Sequence, residues 1–137
     1  MEDMKKVYSE RTIDLFLKPR NLGELPTPDG FARVTGPCGD TMEIYLRVRD
    51  SKIINASFWT DGCGPSIASG SMVTEMAKQT TVGEAQRISQ HDVLTALGGL
   101  PEESKHCALL AANTLKEAIK DYFAYKKEPW KRSYHRQ

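Results

Sequence analysis

From Met42 to Arg49 the chain alternates apolar and polar residues with a period of two. Met42, Ile44, Leu46 and Val48 fall on one side, and Glu43, Tyr45, Arg47 and Arg49 on the other. This alternation predicts a half-buried strand. Asp50-Ser51-Lys52 reads as a turn, after which Ile54, Ala56 and Phe58 alternate with Asn55, Ser57 and Trp59. The pair predicts an antiparallel hairpin, and Phe31 to Thr35 adds a candidate first strand.

On either side of the strands the period lengthens. Residues 7–18 carry Val7, Ile13, Leu15, Phe16 and Leu17; Ser9 or Thr12 can cap a short helix there, and Pro19 ends it. Pro19, Gly23, Pro26, Pro28 and Gly30 make the next stretch a loop. Pro65 suits a first helical position, where its missing N–H costs nothing. Ile67, Met72, Val73 and Met76 supply apolar surface beyond it, while Ser66, Ser69, Gly70 and Ser71 keep that helix slim. Thr80 or Thr81 can cap a turn through Val82, Ala85 and Ile88, and Ser89 another through Val93, Leu94 and Leu97, stopped by Gly98-Gly99. In the last helix Cys107, Leu110, Ala111, Leu115, Ala118, Ile119 and Tyr122 recur at steps of three and four. The order predicts an α+β fold: a small antiparallel sheet of about three strands with helices packed on one face.

The 137 residues make one domain, read as residues 1–125 followed by a basic tail, 126–137, with Lys126, Lys127, Lys131, Arg132 and Arg136. A formal net charge of +1 gives no case for nucleic acid or a membrane surface. The tail's aromatics, Trp130 and Tyr134, form no nucleic-acid motif, so the tail reads as a disordered segment or one that docks on an acidic partner. No apolar run reaches the roughly 20 residues of a membrane span. The first residues, Met1-Glu2-Asp3-Met4-Lys5-Lys6, lack the apolar core of a secretory signal, and a cytoplasmic location is expected.

The three cysteines change the picture. An odd number cannot pair fully within the chain, and a reducing cytosol disfavours structural disulfides. Cys38 lies in Gly36-Pro37-Cys38-Gly39-Asp40, entering a strand; Cys63 lies in Asp61-Gly62-Cys63-Gly64-Pro65, between a strand and a helix; Cys107 follows His106 at the start of the last helix. Strand pairing alone brings residues 38 and 63 together. Helix N-termini favour thiolate at Cys63 and Cys107, and the glycines let backbone approach a bulky inorganic core and offer N–H groups to sulfur. Asp40 or His106 could complete a four-ligand set. Each residue also has a plainer reading: Cys107 as core, Asp40 as a turn residue, His106 as a solvated first-turn residue, Gly-Cys-Gly as a tight turn. Their coincidence at element ends points to a soft-metal site, with the metal left open.

Taken together, Pro19-Arg20-Asn21-Leu22-Gly23, Cys38-Gly39-Asp40, Asp61-Gly62-Cys63-Gly64, Ile67-Ala68-Ser69 and His106-Cys107 resemble the IscU/NifU-type iron–sulfur scaffold family, in order and spacing from about Tyr8 to Tyr125. The resemblance implies a non-enzymatic scaffold that receives sulfur from a cysteine desulfurase and iron from a donor, builds a 2Fe–2S cluster and passes it to apo iron–sulfur acceptor proteins. It implies Cys38, Cys63 and Cys107 as cluster ligands, Asp40 as the aspartate that affects lability, His106 as the histidine beside the third cysteine, and Cys107 as sulfur acceptor. A homodimer around the cluster stays open. Where many members carry Leu-Pro-Pro-Val-Lys, read by a dedicated chaperone, this chain has Leu100-Pro101-Glu102-Glu103-Ser104-Lys105, which argues against that partnership.

Two other readings use the same residues. A zinc protein would hold one zinc in the same four-ligand set. A cysteine enzyme would pair Cys107 with His106 or Asp40, but adjacent helical residues point about 100° apart. By the same angle His106 needs a distorted first turn to share a metal with Cys107. Asp40, two residues after Cys38 in an extended segment, would face the same way as Cys38 and is the expected fourth ligand, with His106 as an exchange ligand.

Overall fold

The computed structural model describes residues 7–127. In chain order they form α1 (Glu10–Leu17), β1 (Gly30–Thr35), β2 (Thr41–Arg49), β3 (Lys52–Thr60), α2 (Gly64–Ala77), α3 (Val82–Ala85), α4 (Gln90–Leu97), a 3-10 turn at Glu102–Ser104, and α5 (Lys105–Lys127). The expected helix starts follow their caps. Ser9, Thr81 and Ser89 accept from the backbone N–H three residues on, and Glu84 and Asp92 complete reciprocal boxes at α3 and α4. Gly98 closes α4 at φ +80°, a left-handed conformation that glycine adopts without strain. Helix α5 runs to Lys127, so Lys126 and Lys127 belong to its last turn. Met1 to Lys6, and the rest of the basic tail with Trp130, Lys131, Arg132, Tyr134 and Arg136, lie outside the described residues.

The strands form one antiparallel sheet in the order β1-β2-β3. Asp50 and Ser51 turn the hairpin with φ of +53° and +63°, the positive angles a tight two-residue turn requires. Met42, Ile44 and Leu46 are fully buried on the helix side, as their alternation predicts. On β3 the alternation breaks. The register slips between Arg47 and Val48, where Ile54 has no partner and Ile53 pairs with Val48. This bulge swaps the faces: Ile53 is buried and Ile54 is exposed, the reverse of what alternation predicts at that end.

The helices lie on one face, as expected. Ala56 and Phe58 of β3, Val73 and Ala77 of α2, Val93 and Leu97 of α4, and Ala111, Leu115 and Ile119 of α5 share one core. The other face is polar and aromatic, with an Arg33–Glu43 ion pair at 3.4 Å and Phe31 tilted on Tyr45 at 5.0 Å between ring centres. Tyr45 is buried there, although alternation predicts it outward beside solvent. Helix α2 is buried along most of its surface, with Glu75 exposed, so its small polar residues are interior rather than a slim outer edge. Ser66, Ser69, Ser71 and Thr74 are all fully buried. Ser71 Oγ accepts from Arg20 N at 3.1 Å, and Thr74 Oγ1 accepts from Asn21 Nδ2 at 3.1 Å and donates to Gly70 O at 2.7 Å. The Pro19-Arg20-Asn21 segment is thereby fastened to α2, and Asn21 and Gly23 hydrogen-bond to Phe58 along the free edge of β3. Among the described residues no helix is long and apolar enough to cross a membrane.

Candidate metal centre

The site forms where three elements end. The β1–β2 turn carries Cys38 and Asp40, the β3–α2 connection carries Cys63, and α5 starts with Lys105, His106 and Cys107. Pairing across the hairpin brings the strand ends that flank the first two connections together. Met42 lies opposite Thr60, and Asp61 N donates to Thr41 O at 3.3 Å. Side chains reinforce the junction: Thr41 N donates to Asp61 Oδ1 at 2.8 Å, and Thr60 Oγ1 donates to Thr41 O at 2.7 Å. Helix α5 then packs along the sheet and delivers its first turn to this end.

Ligand atoms of Asp40, His106 and Cys107 all lie within 4.8 Å of one another. His106 Nε2 is 3.6 Å from Cys107 Sγ. The imidazole reaches back over its neighbour from a first turn that continues directly from the 3-10 turn Glu102–Ser104. Cys63 sits at the N-cap of α2, exposed, and lies near enough to interact with the Cys107 thiol. Cys38 lines a small cavity of about 140 Å³ with Asp40, His106, Leu109 and Asn113. Its thiol is exposed and stands outside the group of three. The extended geometry expected for residues 38–40 does not hold. Gly39 N donates to Gly36 O at 3.0 Å and Gly39 has φ +92°, so the segment is a turn and Cys38 does not project with Asp40.

Electrostatics correct a second expectation. Cys107 is buried, 1% exposed, and burial pushes its thiol up from 9.0 to about 11; the Ser66 hydroxyl opposes the shift, and Cys63 and Asp40 add to it. Desolvation penalises the charged form and outweighs the helix N-terminus that predicted thiolate. The glycine N–H groups expected to face sulfur at Gly39 and Gly62 are engaged within the protein, the latter donating to Thr60 Oγ1 at 3.1 Å. Gly62 is glycine for a steric reason. A Cβ there would stand 2.5 Å from Ser66 Oγ and 3.0 Å from Asp40 Oδ2.

Ser66 was not singled out by sequence reasoning. It is fully buried, and its Oγ lies 3.2 Å from Asp40 Oδ2 and 3.3 Å from Cys107 Sγ. One signal was available: Ser66 follows Cys63 by three residues, one helical turn, and so faces the same side. The set combines thiols, an imidazole and a carboxylate, a donor mixture suited to zinc or iron.

Known proteins with this sequence pattern are consistent with the geometry. The sequence model described as NifU-like N terminal domain matches residues 7–129. The iron-sulfur cluster assembly scaffold protein IscU 1 of Archaeoglobus fulgidus is 48% identical over 118 residues, covering 85% of this chain and 77% of that protein. The scaffold protein IscU of Escherichia coli K12 is 43% identical over 120 residues, covering 84% and 93%. The crystal structure of a nitrogen-fixing NifU-like protein (N-terminal) from Brucella abortus superposes with a TM-score of 0.69 at 21% identity, over 88% of this chain and 97% of that one, and shares the fold. With one family model covering residues 7–129 and relatives at 43–48% identity, the protein belongs to the NifU-like N-terminal domain family.

Proposed function

We propose that this chain is an iron–sulfur cluster assembly scaffold and not an enzyme. The observation that carries the reading is the convergence of Asp40, His106 and Cys107 within 4.8 Å, beside Cys63, at one end of the sheet. The 41–48% identity to named scaffolds supports it over a zinc protein built on the same donors.

In finer terms, the cargo is a 2Fe–2S cluster held by Cys38, Cys63 and Cys107, with Asp40 as fourth ligand and His106 as an exchange ligand. Cys107 accepts sulfur from a cysteine desulfurase, and the finished cluster passes to apo iron–sulfur proteins. Two exposed thiols beside one buried thiol support this division, since donors and acceptors need access and the ligand shell needs a fixed point. Cys38 has to swing inward by bending its turn. Gly39 suits that motion, because no neighbouring atom lies within 4 Å of where its Cβ would stand. The buried Cys107 thiol carries a proton at neutral pH, which metal binding releases. One carboxylate in place of a fourth thiolate weakens the hold on a soft cargo, as a donor of clusters requires.

Anaerobic reconstitution with iron and sulfide, followed by a visible spectrum and metal analysis, tests the reading. The wild-type protein should take up iron and sulfide in equal amounts and develop cluster absorption, and zinc should compete. A variant with Ser at positions 38, 63 and 107 should do neither. A normal cluster in that variant, or a wild-type protein that binds zinc but assembles nothing, overturns it.

A further inference from the structure

The Ser66 hydroxyl lies between two of the proposed ligands and has no exposure to solvent. It holds one proton, so it donates to Asp40 Oδ2 or to Cys107 Sγ, not to both at once. The carboxylate is the stronger acceptor, since a hydrogen bond to an ionised group is roughly twice as strong as a neutral one. Ser66 is also held in place. It sits in the first turn of a largely buried helix, beside Gly62, where even a methyl group would collide with it. Asp40 comes from the β1–β2 turn and has no such enclosure of its own.

We propose that Ser66 is a positioning residue of the metal centre, acting through Asp40. Resting on the scaffold reading, the inference adds the device that sets how firmly the carboxylate holds metal. The Ser66 hydrogen bond occupies one lone pair of Oδ2 and compensates part of the carboxylate's charge, so Asp40 binds a metal chiefly through its other oxygen and more weakly than a free carboxylate. Removing the hydroxyl frees Oδ2, strengthens the Asp40–metal contact and slows release.

The test uses two readouts on the full chain. Cobalt(II) alone, added anaerobically to the metal-free protein, reports ligand geometry through its visible bands. Cluster transfer to an apo-ferredoxin reports release. In Ser66→Ala, which only removes an oxygen and so spares the helix, the cobalt bands should shift, cobalt affinity should rise and transfer should slow about tenfold, the scale of a lost hydrogen bond to a charged group. In an Asp40→Ala background the same substitution should have a much smaller effect on both readouts, what is left coming from the Ser66 contact with Cys107, because Ser66 acts mainly through that carboxylate. Unaltered cobalt bands in Ser66→Ala, unchanged or faster transfer, or an effect that persists in full without Asp40 would each overturn the proposal. The cobalt measurement needs only metal binding, so it judges Ser66 even if the wild-type protein assembles no cluster.

Discussion

The two sides of the cysteine cluster are built differently. On the α5 side, Cys107 is sealed beneath the first helical turn, beside a fully buried Ser66 and a carboxylate that Ser66 holds. On the turn side, Cys38 and Cys63 face solvent at the tips of connections, and Cys38 stands apart from the grouped donors. The contrast separates two tasks. On the proposed scaffold reading, a buried, pre-set donor would fix where a metal sits, and exposed donors on bendable backbone would decide how it enters and leaves. The burial of Cys107 disfavours its thiolate, so that thiol rests protonated at neutral pH.

Thiol reactivity should break the comparison first if it is wrong. A rise from 9.0 to about 11 leaves Cys107 with about a hundredfold less thiolate at neutral pH. Iodoacetamide labelling read by mass spectrometry should therefore modify Cys38 and Cys63 well before Cys107, and Cys107 should catch up in urea. Equal labelling of all three thiols in the native protein would remove the distinction. The same shift has a stability consequence. The folded state keeps its proton where the unfolded chain has lost it, so the contribution is complete below about pH 9, falls as pH rises and is gone above about 11. Urea midpoints taken across that window should drop in the wild type and drop less in Cys107→Ser.

Gly62→Ala attacks the fixed half directly. The new Cβ must displace Ser66 and Asp40 together, which should cost about 1–3 kcal/mol of stability, the usual range for overpacking, and weaken cobalt binding as well. A variant with wild-type urea stability and metal affinity would show that the packing around Ser66 is looser than its burial implies.

The fourth ligand gives a smaller effect. Asp40→Ala should leave a cluster that persists, with an altered spectrum and slower transfer, as His106 or a partner's thiol takes the vacated position. His106→Ala should alter the spectrum less. A reversed order of spectral change would move the resting ligand to His106.

The smallest effect belongs far from the cluster, at the α3 cap. The Thr81 backbone and side chain hydrogen-bond the exposed Glu84 carboxylate and hold it below its ordinary range. A lowered folded-state value means a contribution present above the ordinary carboxylate range and lost as pH falls through the folded value. Thermal scans in mild acid should show this slight acid sensitivity in the wild type but not in Glu84→Gln. Metal affinity should be the same in both.

Much of this arrangement was written in short-range sequence. The alternation of Met42, Ile44 and Leu46 and the caps at Ser9, Thr81 and Ser89 are local signals, and each became the element it predicted. Hairpin pairing brought the 38–41 and 60–63 segments together for the same reason. The bulge at Ile54 escaped, because one unpaired residue leaves composition unchanged and reveals itself only in which neighbour is buried.

By itself, then, the sequence determined the α+β order, the three thiols at element ends and, through its motifs, the family to which the chain belongs. Tertiary structure alone decided which donors meet and that the Cys107 thiol is held above its ordinary pKa. The His106 imidazole comes within 3.6 Å of Cys107 Sγ, Cys38 stands aside because its turn is closed by a hydrogen bond, and Ser66 enters the site because the first turn of α2 is buried against it. Burial of the Cys107 thiol is set by residues brought from distant parts of the chain, and desolvation depends on that whole surrounding volume, which no local pattern of residues encodes.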